Sequence, residues 1–244
     1  MRSGATREWR RIARGPDVLY YIAGWPDKKG TWTEEEFYAV GRSDWHDFKH
    51  HWTHYEPSLQ GTCVEIGCGA GRLTSALALD FDRVVGLDVS SDMLERAARV
   101  VPANVELEQV DGSRIPLGDN EADAVFSVHV LQHLETWHDV VAYLGEANRV
   151  LRTGGTMMVH IWLGSAPLPA IRRLREEVRL WLGRWHLWRG GEPSTVRMRT
   201  YTSEAVGPLL LRLGFADIEL RMFPTASNGF HHHFWLARVS PAPA

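Results

Sequence analysis

The residues with most chemical meaning lie between Val64 and Leu73, "VEIGCGAGRL". Three glycines, Gly67-x-Gly69-x-Gly71, follow a short apolar run and precede a helix-like pattern. A strand that ends in bare backbone and restarts as a helix offers N–H groups to a ligand with no side chain in the way. A dinucleotide fingerprint, G-x-G-x-x-G, wants its third glycine at position 72, where this chain has Arg72. The neighbours must therefore say what the loop holds. The next apolar run closes on Asp88, where a carboxylate can accept both hydroxyls of a ribose. The run after that closes on Asp111-Gly112, where a second carboxylate can bond an exocyclic amine such as that of adenine. Histidines end the following runs, His129 and His133 in "VHVLQHL" and His160 in "MVHIW". Imidazole titrates near neutrality, which makes these three the candidate general bases.

Such groups meet only if the strands that carry them lie side by side. Apolar runs at 62–66, 83–88, 104–110, 122–130 and 156–162 alternate with helical patterns at 71–79, 90–100 and 136–151. This alternation predicts a parallel sheet with helices on both faces, whose carboxyl edge gathers the loop, Asp88 and Asp111 into one crevice. "ADIELRMF" (216–223) and "HHHFWLARV" (231–239) are separated only by "PTASNG", too short for a crossover helix, so they predict an antiparallel pair. Two segments stand outside the rhythm. Residues 1–58 are predicted to form an aromatic helical cap, with a capping box at Thr33 and Glu36 and a "GRS" at 41–43 that allows the helix to break. Residues 165–195 carry an apolar helix stripe, Ile171, Leu174, Val178, Trp181, Leu182 and Trp185, predicted as a lid inserted into a main domain spanning 59–240. Cap and lid together would roof the site and exclude water.

"VEIGCGAGRLT", "VVGLDVSSDMLERA", "VDGSRIPLGDNEADAVFSVHVLQHL" and "RVLRTGGTMMV" resemble the successive motifs of class I S-adenosylmethionine-dependent methyltransferases of small-molecule type, similar to the quinone-biosynthesis enzymes. The resemblance implies a Rossmann-like α/β fold with seven strands in the order 3-2-1-4-5-7-6, strand 7 antiparallel. It implies S-adenosylmethionine as cofactor and S-adenosylhomocysteine as product. Carried over residue by residue, Glu65, Gly67 and Gly69 face the methionine end, with Cys68 and Gly71 completing the loop. Asp88 holds the ribose, Val89 and Met93 pack on the adenine, and Asp111 accepts from its amine beside Gly112 and Ser113. Val128 and His129 line the sulfonium, which makes His129 the first choice of base. The acceptor implied is a small molecule; the imidazoles put O-methylation ahead of N- or C-methylation.

Composition excludes several classes. The 244 residues are 44% hydrophobic and 23% charged, an ordinary globular balance, and the net charge of −3 gives no footprint for a nucleic-acid partner. Arg172, Arg173, Arg175 and Arg179 read as a solvated helix face. No apolar run reaches the roughly 18 residues of a membrane span, and "MRSGATREWRRIARG" is no signal peptide. Cys63 and Cys68 cannot build a disulfide framework, and Cys68 reads as a buried, inert thiol, so a cytoplasmic protein is expected. The 11 tryptophans read chiefly as extra core. His46, His50 and His54 share one helix face and "HHH" fills 231–233, but no Cys pair or HExxH accompanies them, so no metal is expected. Two other readings compete: an NAD-linked oxidoreductase, disfavoured by Arg72 and Asp111, and a non-catalytic cofactor-binding partner protein.

Overall fold

The computed structural model describes residues 4–15, 18–23, 32–112, 114–164 and 198–241. The predicted lid lies outside these residues. Seven strands form one sheet in the order β3-β2-β1-β4-β5-β7-β6. They are β1 (Thr62–Ile66), β2 (Arg83–Asp88), β3 (Val105–Gln109), β4 (Ala122–Ser127), β5 (Leu151–His160), β6 (Phe215–Pro224) and β7 (His231–Val239). β1 pairs in parallel with both β2 and β4, while β7 runs antiparallel between β5 and β6. The chain travels outward from β1 to β3 and then returns to β4, so the strand order reverses beside β1. That reversal opens a crevice at the carboxyl edge.

Alternation along each strand divides the core between two faces. Val64, Val125, Met157, Val159, Trp235 and Ala237 pack on one face against α6 (Trp137–Val150) and α7 (Ser203–Arg212). Cys63, Ala124, Phe126, Met158, Phe234 and Leu236 pack on the other, against α3 (Glu34–Thr53) and α4 (Thr74–Leu77). α3 is one unbroken helix of 20 residues, opened by the capping box of Thr33 and Glu36. It belongs to the core: Trp45, Phe48 and Trp52 are buried, Trp52 stacks on Phe126, and its indole N–H donates to Thr156 Oγ1 at 3.2 Å. The helix does not break at Gly41 because a close approach requires glycine there. A Cβ at Gly41 would lie 2.5 Å from the carbonyl oxygen of Arg72. The remaining helices are α1 (Gly4–Ile12), α2 (Val18–Ala23) and α5 (Ser91–Ala97).

Two strand bounds differ from the sequence reading by more than two residues, each for a physical reason. β5 begins at Leu151, earlier than the apolar run suggests, because Leu151 already pairs with Ala122 before the register shifts and the ladder resumes at Thr156 opposite Ala124. β4 stops at Ser127, short of the predicted 130, because His129 has φ 58, a left-handed conformation that no strand contains.

Arg72, which replaces the third glycine of the dinucleotide pattern, explains itself here. Its Nη1 donates to Asp44 Oδ2 of α3 at 2.5 Å, both side chains are almost fully buried, and Ser227 from the β6–β7 connection donates to the other Asp44 oxygen. The pair ties the glycine loop to α3 and to the far hairpin. Asp44→Ala leaves a buried guanidinium uncompensated and is expected to lower unfolding free energy in urea by about 3–5 kcal/mol. Asp44→Leu combined with Arg72→Met is expected to recover most of that loss.

Candidate functional site

The crevice beside β1 holds a cavity of about 630 Å³. Its floor is the glycine loop. Where β1 ends, the N–H groups of Gly67 and Cys68 both donate to the Leu87 carbonyl, at 2.7 and 2.9 Å. Gly69 N–H continues the series and donates to Asp88 Oδ2 at 2.9 Å, while Ser90 N–H donates to Asp88 Oδ1 at 2.8 Å. A single carboxylate therefore braces the loop on one side and opens α5 on the other. Gly67 has φ +77, and a Cβ there would lie 2.2 Å from Val130 Cγ2, so no other residue fits. A Cβ at Gly69 would meet only Ile22, at 3.9 Å, which leaves this part of the backbone open to the cavity.

Glu65, Gly67, Cys68, Gly69, Asp88, Val89, Met93, Asp111, Gly112, Val128, His129 and His133 all line this one cavity. Asp88 and Asp111 thus share a wall, as the strand-end reading required. Gly71 does not reach it: the residue lies behind the loop, where a Cβ would press on Ala97 and Val101 at 3.1–3.2 Å. Its part is to let the loop pass close to α5. His160, at the end of β5, is 1% exposed and is not on the wall either, but its ring centroid is 4.9 Å from that of His129. Ser113 lies outside the described residues. Met93 serves both expected purposes, facing the cavity and packing with Val18, Phe37 and Ala70.

Several wall residues carry no local sequence signal. Thr6 and Trp9 of α1 and Ile22 of α2 close the cavity from above, and Arg10 Nε donates to the Val89 carbonyl at 2.8 Å to hold α1 there. Trp9 meets His133 edge-on, with centroids 5.1 Å apart. Asp139 and Tyr143 reach in from α6, one turn apart. The i, i+4 spacing of those two polar groups before an apolar helix face was the one legible clue. His232, read with its neighbours as one side of an alternating triplet, is buried, whereas His231 is exposed, as strand alternation demands.

Burial governs the electrostatics. Glu65 is 3% exposed, and desolvation pushes its carboxyl up to about 7 despite the hydrogen bond from Thr74 Oγ1 at 2.6 Å. Desolvation also raises Asp88, opposed by the backbone N–H groups that it accepts. Cys68 is buried and its thiol is driven far above the ordinary range, so it is no nucleophile. His129 and His160 are held well below the usual imidazole range by burial first and neighbouring imidazoles second, so both are neutral. Among the described residues no group of three His, Cys, Asp or Glu could hold a metal ion, and no helix is long and apolar enough to cross a membrane.

Known proteins share parts of this sequence and its fold. Residues 64–159 match the family described as a methyltransferase domain. Over 190 residues the chain is 24% identical to a ubiquinone/menaquinone biosynthesis C-methyltransferase of Desulfotalea psychrophila, covering 70% of this chain and 72% of that protein. It is 36% identical over 97 residues to an uncharacterised Escherichia coli protein, YafE, covering 38% of this chain and 45% of YafE. The chain spans less than half the length of several curated relatives that it matches. The fold is shared with magnesium protoporphyrin IX methyltransferase of Synechocystis, solved with S-adenosylhomocysteine bound: TM-score 0.59, 19% identity, 98% of this chain and 96% of that one.

Glu65 supplies a direct check on the electrostatics. The folded chain keeps its proton up to about 7 while the unfolded chain releases it near 4.5, so native stability falls as pH rises across that window. The isosteric, neutral Glu65→Gln is expected to gain on the native chain over the same window, by up to about 3 kcal/mol in urea denaturation at pH 7.5.

Proposed function

We propose that this chain, whose residues 64–159 match the methyltransferase domain family, transfers a methyl group from S-adenosylmethionine to a small-molecule acceptor, by O-methylation. One observation carries the reading: Asp88, braced by Gly69 and Ser90, faces the same cavity as Asp111 and the open backbone of the loop. The residues present fit the cofactor. Each Asp88 oxygen has spent one lone-pair direction on a backbone N–H and has another for a ribose hydroxyl. Asp111 and Gly112 sit where an adenine edge would end, with Val89 and Met93 as apolar walls. Glu65, protonated near neutrality when nothing faces it, would ionise against an amino group. Gly69 leaves room for that end of the ligand.

Bound there, the cofactor supplies a methyl on a positively charged sulfur that leaves as a neutral thioether. The protein's work is then to align, to keep water out and to receive a proton. Alignment at about 3–3.5 Å supplies roughly 7–11 kcal/mol. A general base adds roughly 10²–10⁴-fold. Positioning therefore dominates. Trp9, Ile22 and Leu134 give the cavity apolar cover. His129, on the wall and neutral, is the base; His133 turns its ring to Trp9 and shapes the same wall. A net charge of −3 favours a small acceptor over a nucleic acid.

Isothermal titration with S-adenosylhomocysteine tests the central carboxylate. Asp88→Ala is expected to weaken binding by about a hundredfold or more, the worth of two charge-assisted hydrogen bonds. Unchanged affinity would remove Asp88 from the site. His129→Ala is expected to keep the affinity and, once an acceptor is in hand, to lower turnover by roughly 10²-fold or more.

A further inference from the structure

Methyl transfer leaves one arrangement unused. The imidazoles of His129, His160 and His232 meet beside the cavity, with centroid separations of 4.9, 5.1 and 5.4 Å. They arrive from three segments: the left-handed turn after β4, the end of β5 and the second position of β7.

Hydrogen-bond chemistry fixes where their protons sit. The Phe230 carbonyl can only accept, so His232 Nδ1, 3.0 Å away, carries a proton and donates it. A neutral His232 then has its lone pair on Nε2, which lies 3.2 Å from His129 Nε2. Two bare nitrogens would repel at that distance, so His129 carries its proton on Nε2 and donates it to His232. The His129 lone pair is left on Nδ1, where the Gln132 amide donates from 3.3 Å. Donation therefore runs one way, from Gln132 through His129 and His232 to a carbonyl. His160, with both ring nitrogens buried and unpartnered, adds no donor or acceptor to this chain.

We propose that His232 is a positioning residue that holds His129 in its Nε2–H tautomer, so that the lone pair stays on Nδ1, where the neutral hydroxyl of the acceptor takes the place of the Gln132 N–H. The proposal rests on the methyltransferase reading. In the transfer the hydroxyl O–H bond breaks and its proton passes to His129 Nδ1. The oxygen forms the new C–O bond while the C–S bond breaks and sulfur keeps that electron pair. Gln132 is prepared for the result, because its Oε1 is buried and unpartnered and a half-turn of the carboxamide presents it to Nδ1–H. His232 accepts from Nε2–H before and after. The other charged or titratable groups facing His129 are His133 and Arg72, and Asp44 and Arg72 flank His232. Burial and Arg72 keep both imidazoles neutral in the resting state, against the opposing pull of Asp44 and the Phe230 carbonyl on His232.

The test uses the full chain labelled with ¹⁵N-histidine and saturated with S-adenosylhomocysteine. Long-range ¹H–¹⁵N correlation spectra show which nitrogen of each imidazole bears the proton. The expected result at pH 7 is His129 protonated on Nε2 and His232 on Nδ1, both neutral. His232→Phe keeps the ring packing against Phe48 and Phe234 and should release His129 from its single tautomer. His232→Gln, whose carbonyl can accept from Nε2–H, should restore it. Finding His129 protonated on Nδ1, cationic at pH 7, or still in one tautomer in His232→Phe would overturn the positioning role. Failure of the native chain to bind S-adenosylhomocysteine by calorimetry would instead overturn the methyltransferase reading, and leaves the tautomers to be read on the free protein.

Discussion

The carboxyl edge of this sheet depends on one carboxylate accepting from two backbone N–H groups. Where β1 stops, the chain must turn through conformations open to glycine, and its freed N–H groups need partners. The end of β2 provides them, first through the Leu87 carbonyl and then through Asp88. Burial raises the cost of keeping Asp88 ionised, and the N–H groups offset it. The carboxylate that shapes the loop is thereby also presented to whatever lies against the loop. The atoms that hold the loop are thus the ones the cavity exposes, so Asp88 cannot be replaced without disturbing the cavity floor.

The same economy appears around Arg72 and Asp44. The glycine loop is held from below by β2 and from behind by α3, whose Gly41 admits the Arg72 backbone at a distance any side chain would forbid. α3 in turn is fixed to the sheet by Trp45, Phe48 and Trp52, with Trp45 donating to Asp80. The aromatic surplus of the N-terminal region thus acts mainly as core, and among its described residues Trp9 is the aromatic that reaches the cavity wall. Beside the cavity the protein places imidazoles, His129 and His160, that burial keeps neutral.

Local pattern made the sheet legible. Strands buried on both faces read as continuous apolar runs, and the short "PTASNG" link forced the last pair to be antiparallel. The three strand-end signals, the loop, Asp88 and Asp111, needed no tertiary knowledge beyond the rule for open sheets. What stayed hidden was set by contacts distant in sequence. His129 ends a strand that looked longer, because the left-handed turn is stabilised by what packs around it and leaves no compositional mark. Gly41 looked like a break and is the point where α3 meets the Arg72 backbone. Thr6, Trp9 and Ile22 roof the cavity through Arg10 and Val89, a pairing across 79 positions that periodicity cannot register. His232 was readable only as one side of an alternating triplet; that its side meets His129 follows from the strand order.

Hydrogen exchange of the full chain, measured with and without S-adenosylhomocysteine, tests most directly whether this edge grips an adenosyl ligand. The account predicts added protection confined to residues 65–73, 87–93 and 110–112 and to α1 and α2, with β6 and the outer half of β7 unchanged. Protection absent from the glycine loop and the Asp88 turn while the ligand is bound elsewhere would contradict it.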